Sequence, residues 1–426
     1  MKFYIYTLGC KVNTYESNVM RDLLLNEGYQ EIVNKEEDAD IVIVNTCSVT
    51  NIADKKSIKM VHQMRKNHPN AILIVAGCMT QNKKEQIGLD ADIILGNRFK
   101  SKIIEYIKDF KQNKKQIYAI EEMNKVKFEP MILNNFQGTR AFVKIQDGCN
   151  NFCSYCIIPY VRGNVRSKEL TSVLEEVEQL VKEGKKEIVL TGIHTGNYGR
   201  DLGISLSYLL KKLVTIENLK RIRISSIEIT ELDDEFMELL KNEKIIVDHM
   251  HIPLQSGSDK ILKLMNRKYD KAYFIDKLEQ IRQIRENISI TTDVIVGFPN
   301  ETLEDFLECI DTIKQCHFTK IHVFPYSKRE GTKAASMDGQ IDTNTKKERV
   351  KKLLELSEEL EKEYMEKFVG QIVEVLPEVE KNGFLIGHTG NYLQVKYKGD
   401  KKDLNTLVLV KIKKSSYPFL EGTKID

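Results

Sequence analysis

A chain of 426 residues with 41% hydrophobic content has room for about three domains of roughly 150 residues each, and enough apolar side chains to fill their cores. Sixty-five basic residues against sixty-two acidic leave a formal net charge of +3, which neither calls for nor excludes nucleic acid, so any basic surface must be local. Eight cysteines are too sparse for a small secreted disulfide scaffold, MKFYIYTLGCKVN lacks the apolar region of a signal peptide, and no run of about 18 apolar residues occurs. The expectation is a soluble cytoplasmic protein, off the membrane, whose cysteines are reduced thiols or metal ligands.

Residues 2 to 110 alternate short apolar runs with amphipathic stretches. Strands are predicted at Phe3 to Leu8, Ile41 to Asn45, Ala71 to Ala76 and Ile93 to Leu95. Helices are predicted at Tyr15 to Asn26, Ala53 to His68, briefly after Cys78, and at Ser101 to Phe110. Such alternation predicts a parallel sheet with helices packed on it. From Gln112 to about Phe128 the chain is rich in Lys, Gln, Asn and Glu and reads as a linker with room for one strand. A new unit begins near Thr139. Its predicted strands are Ala141 to Gln146, Glu187 to Thr191, Arg221 to Ser226, Val247 to Leu254, Ser289 to Val296 and Lys320 to Phe324. Helical patterns such as Glu169 to Glu183 and Tyr273 to Glu286 lie between them, and six β/α repeats fit a partial barrel. Val350, Leu353, Leu356, Leu360, Tyr364 and Phe368 recur at steps of three and four, which predicts one helix over 345 to 368. After Gly370, short strands with Gly and Asn turns, at Gln371 to Leu376, Tyr392 to Tyr397 and Leu407 to Ile412, predict a small β-barrel.

Six of the cysteines form two triplets. Cys149, Cys153 and Cys156 have a C-x3-C-x2-C spacing in GCNNFCSYCIIP, in a loop that Gly148 allows to turn. Three thiolates on one iron-sulfur cluster leave one iron open, as three-ligand metal sites do in enzymes. The competing reading is zinc, which needs a fourth ligand that no His or Cys nearby in sequence supplies. Cys10, Cys47 and Cys78 each stand at or just past the end of a predicted strand. The carboxyl ends of parallel strands form one edge where ligands bind, so these three can converge on a second open cluster, although any one of them alone reads as a small core residue. Cys309 and Cys316, seven apart on a predicted helix, read as bystanders.

The second triplet, with Tyr155 before its third cysteine, matches the radical S-adenosylmethionine (SAM) superfamily. An open iron can chelate the amino and carboxylate groups of SAM, and an electron from a low-potential cluster then splits its S–C bond, giving a radical that removes hydrogen from unactivated carbon. Gly192 and Gly297 follow predicted barrel strands, where a missing side chain lets a ligand approach the backbone. In the last unit Lys396, Lys398, Lys411 and Lys413, interleaved with tyrosines, suit RNA as well as a solvated strand face.

Taken in order, TLGCKVNTYES, VNTCSVTNIADKKS, AGCMTQ, KIQDGCNNFCSYCIIPYVRG, HIPLQSGSDKIL and TTDVIVGFPNET resemble the methylthiotransferases along essentially the whole chain. The resemblance implies an α/β fold of four segments. Residues 1–112 are an N-terminal domain with an auxiliary [4Fe-4S] cluster on Cys10, Cys47 and Cys78, and 113–134 are a linker. Residues 135–366 are a radical SAM core, a partial (β/α)6 barrel with a second [4Fe-4S] cluster on Cys149, Cys153 and Cys156, and 367–426 are a small antiparallel RNA-binding TRAM barrel. It implies Tyr155, Gly192, Gln255 and Gly297 as SAM-pocket residues and no catalytic residues beyond the cluster ligands. It also implies one SAM as methyl donor, a second as radical source, a sulfur donor, and a low-potential electron donor such as flavodoxin.

The GCKVNTYES form is similar to the branch that adds a methylthio group to carbon 2 of N6-threonylcarbamoyladenosine at position 37, in the tRNA anticodon stem-loop. Departures from the family pattern are Met79-Thr80 before Gln81 and Asn164 after the VRG stretch. The alternatives are methylthiolation of isopentenyladenosine tRNA or of a ribosomal protein and, in a different class, a zinc-stabilised RNA-binding protein without catalysis.

Overall fold

The computed structural model of the chain describes residues 1–34, 37–83, 90–134, 136 and 138–425. The expected first residue of the third segment, 135, and the last residue of the fourth, 426, lie outside them.

The first unit is built on strands β1 (Lys2–Thr7), β2 (Gln30–Glu31), β3 (Ile41–Thr46), β4 (Ile72–Gly77), β5 (Ile93–Leu95) and β6 (Ile117–Ala119), with helices α1 (Lys11–Asn26), α2 (Asn51–Asn67), α3 (Cys78–Lys83) and α4 (Ile103–Asn113). The strands form one sheet, all pairs parallel, in the order β2-β1-β3-β4-β5-β6. β3 and β4, IVIVNT and ILIVAG, are buried at every residue, as expected of central strands covered by helices on both faces. The segment read as a linker supplies β6, which closes the sheet's far edge. Strand order reverses beside β1, so the carboxyl ends of β1 and β3 flank the switch point, where doubly wound sheets place their ligands.

α1 starts at Lys11, four residues before the predicted Tyr15. The first turn lacks apolar periodicity because Asn13 is spent on the sheet: its Nδ2 donates to the carbonyls of Leu8 at 2.7 Å and Thr46 at 2.9 Å. That bond ties the ends of β1 and β3 together.

The second unit contains β7 (Arg140–Lys144), β8 (Gln146–Asp147), α5 (Ile158–Arg162), β9 (Arg166–Ser167), α6 (Leu170–Lys182), β10 (Glu187–Thr191), α7 (Leu206–Leu213), β11 (Arg221–Ile224), α8 (Asp234–Asn242), β12 (His249–His251), α9 (Asp259–Leu264), α10 (Lys271–Ile284), β13 (Ser289–Val296), α11 (Leu303–Cys316) and β14 (Lys320–Pro325). β7, β10 and β11 pair in parallel, as do β12, β13 and β14, and a parallel bridge from Ile222 to Ile246 joins the two groups. The result is the predicted open barrel of six parallel strands, with β7 and β14 at its two ends. Cys309 and Cys316 are buried in its core.

Helix α12 (Thr343–Glu366) runs out of the barrel and into the third unit. Its Leu353 and Leu356 belong to the large core, whereas Tyr364 and Met365 belong to the core of a closed barrel. That barrel consists of β15 (Ile372–Lys381), β16 (Phe384–Thr389), β17 (Gln394–Lys398), β18 (Val408–Ser416) and β19 (Phe419–Ile425), in the order β15-β16-β17-β19-β18. Its pairs are antiparallel except β17 with β19, which is parallel. β16 and β19 each carry a glycine, Gly387 and Gly422, where a Cβ would press on the neighbouring strand. These glycines break the apolar alternation that marks a strand in sequence. Docking is polar: the Tyr364 hydroxyl donates to the Asn287 carbonyl at 2.6 Å, and Arg221 reaches the Glu374 carboxylate at 2.9 Å.

The first two units are joined by a buried ion network. Glu16 on α1 is fully buried and pairs with Lys100, with Lys144 at 2.7 Å and with Arg162 at 3.0 Å; Asp147 pairs with Lys144 at 2.7 Å and with Arg162 and Arg166 at 3.2 Å. The cations hold the Glu16 and Asp147 carboxyls well below the usual range although burial alone would raise them. Removing one side of a buried ion pair strands the other. Glu16→Ala is therefore expected to cost about 3–5 kcal/mol, read as a lowered urea midpoint. Glu27→Ala, which removes a partly exposed partner of Lys108, leaves the midpoint essentially unchanged.

Candidate active site

Gly9 has φ +107, and the Cβ it lacks would stand 3.0 Å from the Cβ and 3.2 Å from the Sγ of Cys47. Cys10 follows as the N-cap residue of α1, Cys47 follows β3, and Cys78 opens α3 directly after β4. Adjacent strand ends thus bring the three thiols to one patch of the sheet edge. Burial pushes the Cys47 thiol up to about 11, with the neighbouring Cys78 and Cys10 adding to the effect. Cys10, at the exposed end of the patch, faces Arg162.

The second triplet lies between β8 and α5, in a loop whose turns use positive φ at Gly148 and Phe152. Burial pushes Cys156 up to about 12, with Cys153 and Cys149 contributing. Two cations face the other thiols. Arg267 donates to Cys153 Sγ at 3.3 Å and pairs with Glu228 at 2.8 Å, while His194 Nδ1 stands 3.6 Å from Cys149 Sγ. Burial alone would lower His194, but its bonds to Cys149 and Glu231 push it up to about 10.

The two triplets face one region. Cys78 packs with Ile157 and Val161, just past Cys156, in a small apolar cluster. Arg329 donates to Ser48 at 2.9 Å and to Asp54 at 2.8 Å, which ties the loop after Cys47 to the barrel. Two cavities adjoin there, one of about 710 Å³ and one of about 240 Å³, with Asp293 and Phe324 on the wall of both. Cys10 lines the larger and Cys156 the smaller.

Of the residues singled out from the sequence, Gly192 lines the larger cavity, and Tyr155 and Gln255 line the smaller. Gly297 lines neither. It sits at the end of β13 with φ +70, against Lys346, and its N–H donates to Glu301. Lys396 and Lys398 share the outward face of β17 with Gln394, which reaches the cavity rim. Lys411 lies across from Lys398, both in register with Thr423 of β19, and Lys413 is exposed further along β18. Sequence reasoning passed over Lys11, His249, His251, His322 and His388, which line the larger cavity together with Tyr392, one of the tyrosines that the sequence interleaves with the barrel lysines. The clustered HMH of β12 is the signal that could have drawn attention to it.

The eight cysteines are free thiols. Among the described residues no group of three His, Cys, Asp or Glu closes on one metal ion. Three convergent thiols with cationic neighbours and a cavity alongside suit a larger anionic cluster that leaves one corner open.

Comparison with known proteins agrees. Residues 143–313 match the Radical SAM superfamily and residues 2–96 match the uncharacterized protein family UPF0004. The chain is 42% identical to the threonylcarbamoyladenosine tRNA methylthiotransferase MtaB of Bacillus subtilis, with 98% of this chain and 95% of that protein aligned. Identity is 37% to the protein of that name from Aquifex aeolicus, covering 97% of this chain and 100% of that one. It is also 37% to a tRNA-2-methylthio-N(6)-dimethylallyladenosine synthase of Natranaerobius thermophilus, covering 96% and 94%. Among solved structures, the radical SAM methyltransferase TsrM from Kitasatospora setae shares the fold, with TM-score 0.57, 15% identity, and 78% of this chain and 77% of that chain covered. The open barrel with its thiol loop defines a radical SAM enzyme, which works with SAM and [4Fe-4S] clusters. Within that class, the chain belongs to the tRNA methylthiotransferase family.

An alanine at position 9 would need a strained φ and would put its Cβ 2.9 Å from Asn13 Nδ2 as well as against Cys47. Gly9→Ala is expected to keep the far-UV circular dichroism of the parent and to lose about half of the iron bound after anaerobic reconstitution, one cluster of two. Iron analysis per chain checks this.

Proposed function

We propose that this enzyme adds a methylthio group to carbon 2 of N6-threonylcarbamoyladenosine at position 37 of tRNA. The observation that carries the reading is the meeting of two three-thiol sites, on different units, at adjoining cavities. In this reading residues 1–112 form the auxiliary-cluster domain, with Cys10, Cys47 and Cys78 as ligands, and 113–134 link it to the core. Residues 135–366 form the radical SAM core, with Cys149, Cys153 and Cys156 as ligands, and 367–426 bind RNA. The bound groups supply a methyl donor, a centre that carries sulfur, and a radical able to take hydrogen from carbon.

The chain's own residues orient and exclude. Tyr155 and Gln255 border the smaller cavity, where Ile157, Ile295 and Phe324 keep water from a SAM-sized guest. Gly192 leaves open the wall of the larger cavity beside Gln146, and Gly297 acts from behind, by fixing the Glu301 turn. Arg267 and His194 offer N–H groups to sulfur, which favours electron-rich cluster states. A sulfur donor and a low-potential electron donor such as flavodoxin complete the system, acting in the cytoplasm. Among the described residues no helix is long and apolar enough to cross a membrane.

The test separates the two triplets. Cys47→Ala should abolish methylthiolation of tRNA, read by nucleoside mass spectrometry, while 5′-deoxyadenosine release from SAM largely persists; Cys153→Ala should lose both. Equal loss of SAM cleavage in the two variants would contradict the assignment, and a product on another nucleoside would contradict the substrate.

For the RNA face, alanine at Lys396, Lys398, Lys411 and Lys413 together should weaken tRNA binding. It should also flatten the slope of log K against log salt by about 3, since each phosphate contact contributes about 0.7–0.9. Filter binding across a salt series measures it.

A further inference from the structure

The larger cavity holds a positive charge that the cluster chemistry does not use. Lys11, in the first turn of α1, lines it beside Cys10. Arg140 pairs with Glu378 at 3.1 Å, Arg223 with Glu187 at 2.6 Å, Arg221 with Glu374 at 2.9 Å, and Lys320 with Glu361 at 3.1 Å. Lys11 has no carboxylate partner among the described residues. It shares the cavity wall with Tyr392 of the C-terminal barrel.

Opposite Lys11, the C-terminal barrel contributes Tyr392. Its ring stacks on His388 at 4.7 Å and 28°, packs on His249 at 4.9 Å, and has the guanidinium carbons of Arg223 and Arg140 at 4.7 and 5.0 Å from its centroid. The residue holds a left-handed φ of +69, kept by its N–H bond to the Thr389 carbonyl at 3.1 Å. A position this fixed, in a conformation a bulky residue avoids, holds a tyrosine on the wall of the cavity that also carries Lys11, a cation without a carboxylate partner among the described residues.

We propose that Lys11 and Tyr392 form an anion subsite that takes the carboxylate of the target adenine's N6 substituent, and that this subsite makes the enzyme prefer a carboxylate-bearing substituent to an uncharged one. The inference rests on the substrate reading above and deepens it. A cavity of about 710 Å³ accommodates a flipped-out nucleoside with its substituent. A guest without the carboxylate leaves the Lys11 ammonium partly desolvated and unmatched, the situation in which polar sites reject an analogue most strongly.

The test uses the reconstituted enzyme and anticodon stem-loop RNAs that carry threonylcarbamoyladenosine or its methyl ester. The parent should bind the free carboxylate about 10-fold or more tighter than the ester and modify it in preference. Lys11→Gln should bind the two within about 2-fold of each other, and Lys11→Arg should recover the preference. Iron content and SAM cleavage are read in parallel. If Lys11→Gln loses iron, Tyr392→Phe, on the other unit, carries the same comparison and should narrow the discrimination several-fold. Undiminished preference in an iron-loaded Lys11→Gln, or in Tyr392→Phe where that variant stands in, overturns the subsite and leaves the substrate reading intact. A parent that ignores both RNAs and modifies an isopentenyladenosine RNA overturns the substrate reading itself.

Discussion

Arg162 is the point at which the molecule is locked. Its guanidinium is fully buried and bonds Asn13 at 2.8 Å, Glu16 at 3.0 Å and Asp147 at 3.2 Å. A buried cation is tolerable only where anions surround it. Those anions come from α1 and from the strand that leads into the Cys149 loop, so satisfying one charge fixes the first unit against the second. Lys100, Lys144 and Arg166 accompany it against only Glu16 and Asp147. The network therefore places more cations than carboxylates beside the first triplet, a setting that favours an anionic group there.

The sheet and the open barrel were legible in the sequence because short apolar runs, nearly unbroken at β3 and β4, alternate with amphipathic helices, and a run that stops just before a cysteine sets that cysteine at the strand's end. Cys10, Cys47 and Cys78 could be placed at one edge for that reason alone. The start of α1 could not be placed so well: Asn13 spends its side chain on Leu8 and Thr46, a long-range use that leaves no periodic trace. Nor could the ion network be read. Glu16 and Lys144 are 128 residues apart, and each looks like an ordinary surface charge until the units dock.

The small barrel shows the same limit in another form. Its lysines stood out by composition, yet the residues that reach the cavity are His388, Tyr392, Leu393, Gln394 and Pro418. Tyr392 gets there through a left-handed turn and through docking, with Asn391 donating to the Tyr364 hydroxyl at 2.9 Å. Composition marks where a polyanion can lie on the outside. It carries no information about a side chain whose position depends on how one barrel seats on another.

Charge in the larger cavity is more narrowly placed than its many histidines imply. Burial, reinforced by Arg223, holds His249 well below the usual imidazole range, and burial with the neighbouring His251 lowers His322. At neutral pH both are uncharged rings that offer one donor and one acceptor each, suited to the edge of a base. His251 is matched by Asp293 at 3.3 Å and His388 by Glu378 at 2.6 Å. What remains is a mostly neutral, hydrogen-bonding chamber with its unmatched cation at the mouth of α1, next to an apolar chamber lined by Ile157, Ile295 and Phe324. In the function proposed above, a radical that attacks carbon suits the second environment, which keeps water away, and a polar nucleoside suits the first. Asp293 and Phe324 line both chambers, which on that proposal makes their shared wall the place where the reacting carbon would be presented.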